Sequence, residues 1–279
     1  MSPKLQEKIA FSVLRLVTIL IIAVLAWLLY DILSKGLPAI SWDFLTDKPR
    51  RGMTKGGIFP AIVGTLHLVF WTIVFALPTG VMTAIYLSEY ARDNWLTRLI
   101  RLAIMNLAGI PSVVFGLFGL GLFVIYFGFG ASILAGSLTL ALMTLPVIIT
   151  TAEEALRTVP QSYRQASLAL GATKLQTIIR IVLPQAMPGI ITGSILGIAR
   201  AAGETAPILL TVAAFFLPKL PTSIFDQVMA LPYHLYVIAT QVPGVEDKIP
   251  YGTAVVLLML VLGLNLTATL LRSYFARQR

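Results

Sequence analysis

The chain alternates long apolar stretches with short polar ones, and six apolar runs stand out: Ile9–Leu33, Ile58–Leu87, Leu99–Phe127, Ala131–Ala152, Ile190–Phe216 and Tyr251–Leu271. Each reaches the about 20 residues that an α-helix needs to cross roughly 30 Å of hydrocarbon. No run shows the two-residue alternation of a half-buried strand. The pattern predicts an all-α, polytopic membrane protein with six transmembrane helices. The first run follows Lys4, Lys8 and Arg15, as a signal peptide would. It continues through Trp27, Leu28, Leu29 and Tyr30 without a small-residue cleavage site, so it reads as a retained span.

Composition agrees with that pattern. The 279 residues are 57% hydrophobic and 12% charged, about half the charge of an ordinary soluble domain, and mean hydropathy is +0.88. In a soluble chain the net charge of +9 would suggest nucleic acid; here a membrane accounts for it. With both termini in the cytoplasm, the larger share of Lys and Arg falls inside, from Lys4 through Arg98, Arg157 and Arg180 to Arg272, Arg277 and Arg279. The exception is the outer loop Lys48–Lys55, which carries Lys48, Arg50, Arg51 and Lys55 as a solvated or anion-steering charge run. There is no Cys, so no disulfide and no nucleophilic thiol, and His67 and His234 do not make a metal site by themselves. The outer segment Phe225–Thr240 suggests a short interfacial helix.

Prolines punctuate the spans at Pro60, Pro78, Pro111, Pro146 and Pro207, where each removes a backbone hydrogen bond and bends a helix. Gly116, Gly119 and Gly121 follow no strand, so they read as small residues for close helix approach rather than as a nucleotide fingerprint. No phosphate-cradling GxxxxGK loop occurs, so any use of ATP requires a separate subunit. There is no HExxH string either, and with Glu204 the one carboxylate expected deep in a span, an aspartyl dyad is excluded. The chain is not expected to be an enzyme and implies no cofactor and no metal.

The stretch Thr150–Gly189 is too polar to span and too patterned for a linker. It reads as two short helices: Tyr163–Leu170, ended by Gly171 in a left-handed cap, and a second begun by the capping box Thr173 and Gln176 and closed by Pro184 and Pro188. Such a unit could take force from a partner or lie as an amphipathic surface loop. Within it, Gln165, Ala166, Ser167, three residues, Gly171, nine residues, Ile181, one residue, Leu183 and Pro184 resemble the EAA loop of ABC importer permeases, with Gln for Glu at 165 and Ser for Ala at 167. Gly56–Leu66, Gly109–Phe123, Thr144–Pro160 and Arg200–Leu209 are similar to the A-type permease of bacterial phosphate importers, the PstA type. Sulfate and molybdate permeases share this architecture.

The resemblance implies a type I ABC importer permease in the bacterial inner membrane, with both termini cytoplasmic. Its permease domain would span 58–272 with the EAA loop at 153–187, after an N-terminal helix and periplasmic loop at 1–57 and before a cytoplasmic tail at 273–279. Tyr163, Arg164, Gln165, Ala166, Ser167, Leu168, Leu170, Gly171, Ala172 and Thr173 would form the coupling helix that docks on an ATPase. The implied partners are two ATPase copies, a second homologous permease and a periplasmic phosphate-binding protein, besides membrane lipid; nucleic acid is not among them.

Arg200 and Glu204, four residues apart in the fifth span, share a helix face. A buried arginine costs about 2.5–3.5 kcal/mol at a helix centre, so the pair is either self-neutralising or an anion site. The planar guanidinium fork suits a tetrahedral oxyanion, Glu204 would moderate its hold, and Thr205 could add a hydroxyl or bond its own helix. Phosphate at neutral pH keeps a proton that an ionised Glu204 can accept, whereas sulfate has none to offer. A proton-coupled secondary anion carrier using Glu204 as relay is the reading from a different class.

Overall fold

The computed structural model describes residues 3–277; Arg279, at the end of the expected tail, lies outside them. The chain is predominantly helical. Helix α1 (Pro3–Gly36) leads through a 3-10 turn (Leu37–Ala39) into α2 (Trp42–Thr46) and a small antiparallel hairpin, β1 (Pro49–Arg50) with β2 (Lys55–Gly56). Helix α3 (Phe59–Ile85) ends in a π-turn (Tyr86–Tyr90). Then come α4 (Trp95–Ala108), α5 (Ser112–Gly119) with a π-helical extension (Leu120–Tyr126), α6 (Ile133–Arg157), α7 (Gln161–Ala169) and α8 (Lys174–Thr177). A π-turn (Ile178–Val182) joins α8 to α9 (Leu183–Gly203), and α10 (Ala206–Thr211), α11 (Leu231–Thr240) and α12 (Lys248–Arg277) complete the chain.

Among the described residues, five helices are long and apolar enough to cross a membrane, and α4 with α5 makes a sixth if the bent pair is counted as one span. The expected straight third span is therefore broken, with a 104° bend between Ala108 and Ser112. Pro111 stands at the break as the N-cap of α5; it has no amide to offer the carbonyl four residues back, and its ring crowds that carbonyl. The fifth span also departs from expectation. It ends at Gly203 rather than near Phe216, because Glu204 turns extended (φ −74°, ψ 135°) and a separate helix starts at Ala206. Pro207 lacks the amide that would have bonded Gly203. At the other end Pro184 and Pro188 do not close the second loop helix; Lys174–Gly203 is one 30-residue helix. The Leu183 amide reaches back five residues to Ile178, and this π-turn absorbs the irregularity before Pro184.

Helix α6 lies at the centre, buried along most of its length between α3 and α9. Close approach rests on small residues. On α9, Gly189, Gly193 and Gly197 form one row. A Cβ on Gly193 would collide with the Thr151 hydroxyl of α6, one on Gly189 would come within 2.5 Å of the Ala155 methyl, and one on Gly197 within 3.2 Å of Ile148. Gly80 of α3 meets the same Ile148 from the other side at 2.7 Å. Gly116 and Gly119 serve the same purpose, against Pro207 and Thr139, while Gly121 faces open space.

The N-terminus of α6 is closed by a long return loop. Ser132 accepts the Ala135 amide at 3.2 Å, and the amides of Ser132, Ile133 and Leu134 donate to the carbonyls of Thr211, Asp226 and Ile224 at 3.0, 2.9 and 2.9 Å. Asp226 pins that loop through the backbone amides of Thr222 and Ser223, which hold its carboxyl below the usual carboxylate range. The loop re-enters the core, where Leu231 donates to Thr65 of α3 at 2.8 Å. Helix α11 is packed into the fold by one face: Leu231, Tyr233, His234, Val237 and Ile238 are buried. By contrast α1 is exposed along its apolar stretch and packs on α12 near its C-terminal end, where Gly36 approaches Tyr251.

Gly193→Val should strain the α6–α9 contact by about 1–3 kcal/mol, read as a lower thermal unfolding midpoint in detergent. Gly121→Ala, where a Cβ meets nothing within 4 Å, should leave the midpoint unchanged.

Candidate functional site

The loop between α6 and α9 is built by local rules. Helix α7 ends in a Schellman arrangement: Ala172 donates to the Ser167 carbonyl at 3.2 Å and Gly171 to the Leu168 carbonyl at 3.0 Å. Gly171 takes φ +84°, a conformation that costs a residue with a Cβ. The chain then restarts with both halves of the expected capping box, Gln176 N–H to Thr173 Oγ1 at 3.3 Å and Thr173 N–H to Gln176 Oε1 at 2.9 Å. The Ser167 hydroxyl, standing where the loop pattern has alanine, lies 2.9 Å from the Thr177 hydroxyl and ties the two helices together.

No residue of α7 is buried. Tyr163, Gln165, Ala166, Leu168, Leu170, Gly171 and Thr173 are exposed, Ala172 and Ser167 partly so, and Leu170 reaches 89% exposure. Arg164 turns the other way. Its guanidinium grips Glu89 with two bonds, at 2.7 and 3.3 Å, and donates to the carbonyls of Val159 and Leu156 at 2.6 and 2.9 Å. The two side chains are only 11% and 8% exposed.

Beside this clamp lies a second buried carboxylate, Glu153 of α6, held by Arg101 and Arg157 at 2.8 Å each. Glu89 and Glu153 are therefore both less exposed than Glu204, at 18%. Little in the local pattern marks either of them out. Both sit at the polar margins of apolar runs, and the Glu89–Arg164 pairing spans 75 positions.

Arg200 and Glu204 do meet, Nε to Oε1 at 3.5 Å, with the Arg200 side chain 40% exposed. The contact differs from the intrahelical bridge expected, since Arg200 lies in the last turn of α9 and Glu204 just past its end. A guanidinium there complements the negative end of the helix dipole. Thr205 is half-buried at the start of α10 and its side chain caps nothing. His67 bonds the Val63 carbonyl of its own helix at 2.9 Å. The basic loop Lys48–Lys55 folds as the β1–β2 hairpin and borders a cavity of about 700 Å³ whose lining includes both signs of charge, from Asp43, Asp47, Arg50, Lys55, Glu246 and Lys248.

Residues 76–279 match the family described as "Binding-protein-dependent transport system inner membrane component". The chain belongs to that family. This permease is 35% identical to the "Probable ABC transporter permease protein YqgI" of Bacillus subtilis (strain 168), over 96% of its own length and 95% of that protein. It is 38% identical to the "Phosphate transport system permease protein PstA 1" of Mycobacterium tuberculosis (strain CDC 1551 / Oshkosh), over 91% and 84%. Among solved structures, a bacterial ABC transporter involved in the import of the acidic polysaccharide alginate matches its fold with a TM-score of 0.68 at 15% identity, over 97% of this chain and 99% of that one. The permease is thus a membrane transport subunit of the ABC importer fold.

The Ser167–Thr177 contact offers a direct check on the rigidity of the loop. In this Cys-free chain, the pair Ser167→Cys with Thr177→Cys should form a disulfide on oxidation, since hydroxyls this close bring the Cβ atoms near bridging distance. The oxidised permease should keep wild-type transport, as measured by substrate uptake before and after reduction.

Proposed function

We propose that this permease is one of two membrane subunits of an ATP-driven importer of inorganic phosphate, seated in the bacterial inner membrane with both termini cytoplasmic. The observation that carries this reading is the continuity of Lys174–Gly203. At about 1.5 Å per residue the helix is about 45 Å long, and it joins the exposed loop at one end to Arg200 at the other. A displacement of the loop reaches the charged pair without passing through a flexible joint.

On this reading the exposed face of α7, from Tyr163 to Leu170 with Gly171, Ala172 and Thr173, docks on an ATPase subunit, one copy on each permease. ATP binding draws the ATPases together and the two loops move with them. The spans tilt, and the path between the two permeases opens outward to take phosphate from a periplasmic binding protein. Arg200 supports the anion assignment: its fork matches a tetrahedral oxyanion. Glu204, at 3.5 Å, competes for the same donors and keeps the hold weak enough for release. The phosphate permeases among its relatives support the choice of phosphate over sulfate or molybdate, and family membership favours ATP drive over a proton-coupled carrier.

Labelled phosphate uptake in cells lacking this chain tests the proposal. Wild type should restore uptake that excess sulfate and molybdate leave unaffected. Arg200→Gln should lower it about tenfold or more, the loss of charge-assisted bonds to the anion. Competition by sulfate, or uptake driven by a pH gradient without an ATPase, would overturn it. Glu204→Gln should narrow the preference for phosphate over sulfate, as seen in competition with both anions.

A further inference from the structure

Three cations from three separate elements converge on the π-turn Tyr86–Tyr90 that ends α3. Arg101 of α4 donates to the Leu87 carbonyl at 2.8 Å, Arg164 of α7 grips Glu89, and Lys174, the first residue of α8, sits 4.8 Å from the centre of the Tyr90 ring. The loop is covalently continuous with α6 at one end and, through α8, with α9 at the other. The Arg164–Glu89 pair ties it in addition to α3, which packs on both α6 and α9.

A loop tied only to its two flanking helices can hinge about those joints, whereas a third tie, to α3, restrains that rotation. The pair is suited to this third hold. It is doubly bonded and shielded from solvent, so screening weakens it little. Arg164 also bonds the carbonyls of Leu156 and Val159, fixing α7 to the end of α6 at the same guanidinium.

Resting on the reading of α7 as the ATPase-docking helix, we propose that Arg164 and Glu89 are positioning residues that pass the displacement of α7 to α3, so that α3 and α9 move together with the loop. Arg164 then acts within the coupling helix without touching the ATPase. The clamp makes the difference between ATP hydrolysis that moves the pore and hydrolysis that moves one helix alone.

The assembled transporter in proteoliposomes tests this. Glu89→Gln keeps the shape of the side chain and removes its charge. It should leave ATPase binding and hydrolysis near wild type while phosphate moved per ATP falls at least about fivefold, and Glu89→Asp should recover part of the ratio. A second readout does not depend on the substrate. Spin labels on Met82→Cys of α3 and Ser162→Cys of α7, both exposed positions in a chain with no native cysteine, should keep one separation with and without ATP. In the Glu89→Gln background that separation should change on ATP binding.

Wild-type coupling ratio and label separation in both Glu89→Gln and Arg164→Gln would overturn the clamp. So would uptake that falls only in step with lost assembled complex, the ratio being unchanged. If the wild-type complex moves no phosphate, the substrate reading falls by itself and the label distances still decide the clamp.

Discussion

The structure depends on how closely helices can approach one another in lipid. Hydrocarbon tails are as apolar as leucine, so no hydrophobic force draws membrane helices together, and dispersion contacts and hydrogen bonds must do so. Glycine meets that constraint here. The row Gly189, Gly193 and Gly197 lets α9 sit against Ala155, Thr151 and Ile148 of α6, and Gly80 brings α3 onto the same Ile148. With α6 held by both helices, its two ends become fixed points. The N-terminal end receives the return loop that satisfies its free amides, and the C-terminal end carries Glu153 and carbonyls that hold Arg164.

Charge at the C-terminal end of α6 has a different logic. A buried ion pair rarely adds stability over a well-packed apolar one, but breaking it by removing one partner is costly, so it fixes an arrangement. Glu89 with Arg164 and Glu153 with Arg101 and Arg157 fix how α7 and α4 sit beneath the bundle. The local devices of the loop, its Schellman turn, capping box and Ser167–Thr177 contact, make it a stiff unit. The ion pairs make it a placed one. A stiff, placed loop at one end of a 30-residue helix and a half-exposed arginine near the other is an arrangement that can carry motion across a membrane.

The prolines show how far local rules reach. Pro78, Pro146 and Pro188 lie inside helices that continue past them, whereas Pro111 and Pro207 stand at breaks. Sequence identifies each as a place where a backbone bond is lost. Whether the helix survives depends on what packs around it. Gly109 precedes one break and Gly203 the other, so the loss of helix propensity adds to the missing amide at both.

Sequence by itself determined the elements whose cause is local. Apolar run length set the spans, the Thr173 and Gln176 spacing set a capping box, and Gly171 set the turn. Tertiary structure decided what depends on distant neighbours: the burial of α11, the end of the fifth helix at Gly203, and the inward turn of Arg164 toward a glutamate 75 residues away. The physical reason is range. Caps, turns and hydropathy act within a few residues and leave a periodic trace, whereas an ion pair between helices is set by how those helices pack, and packing leaves no period in either segment.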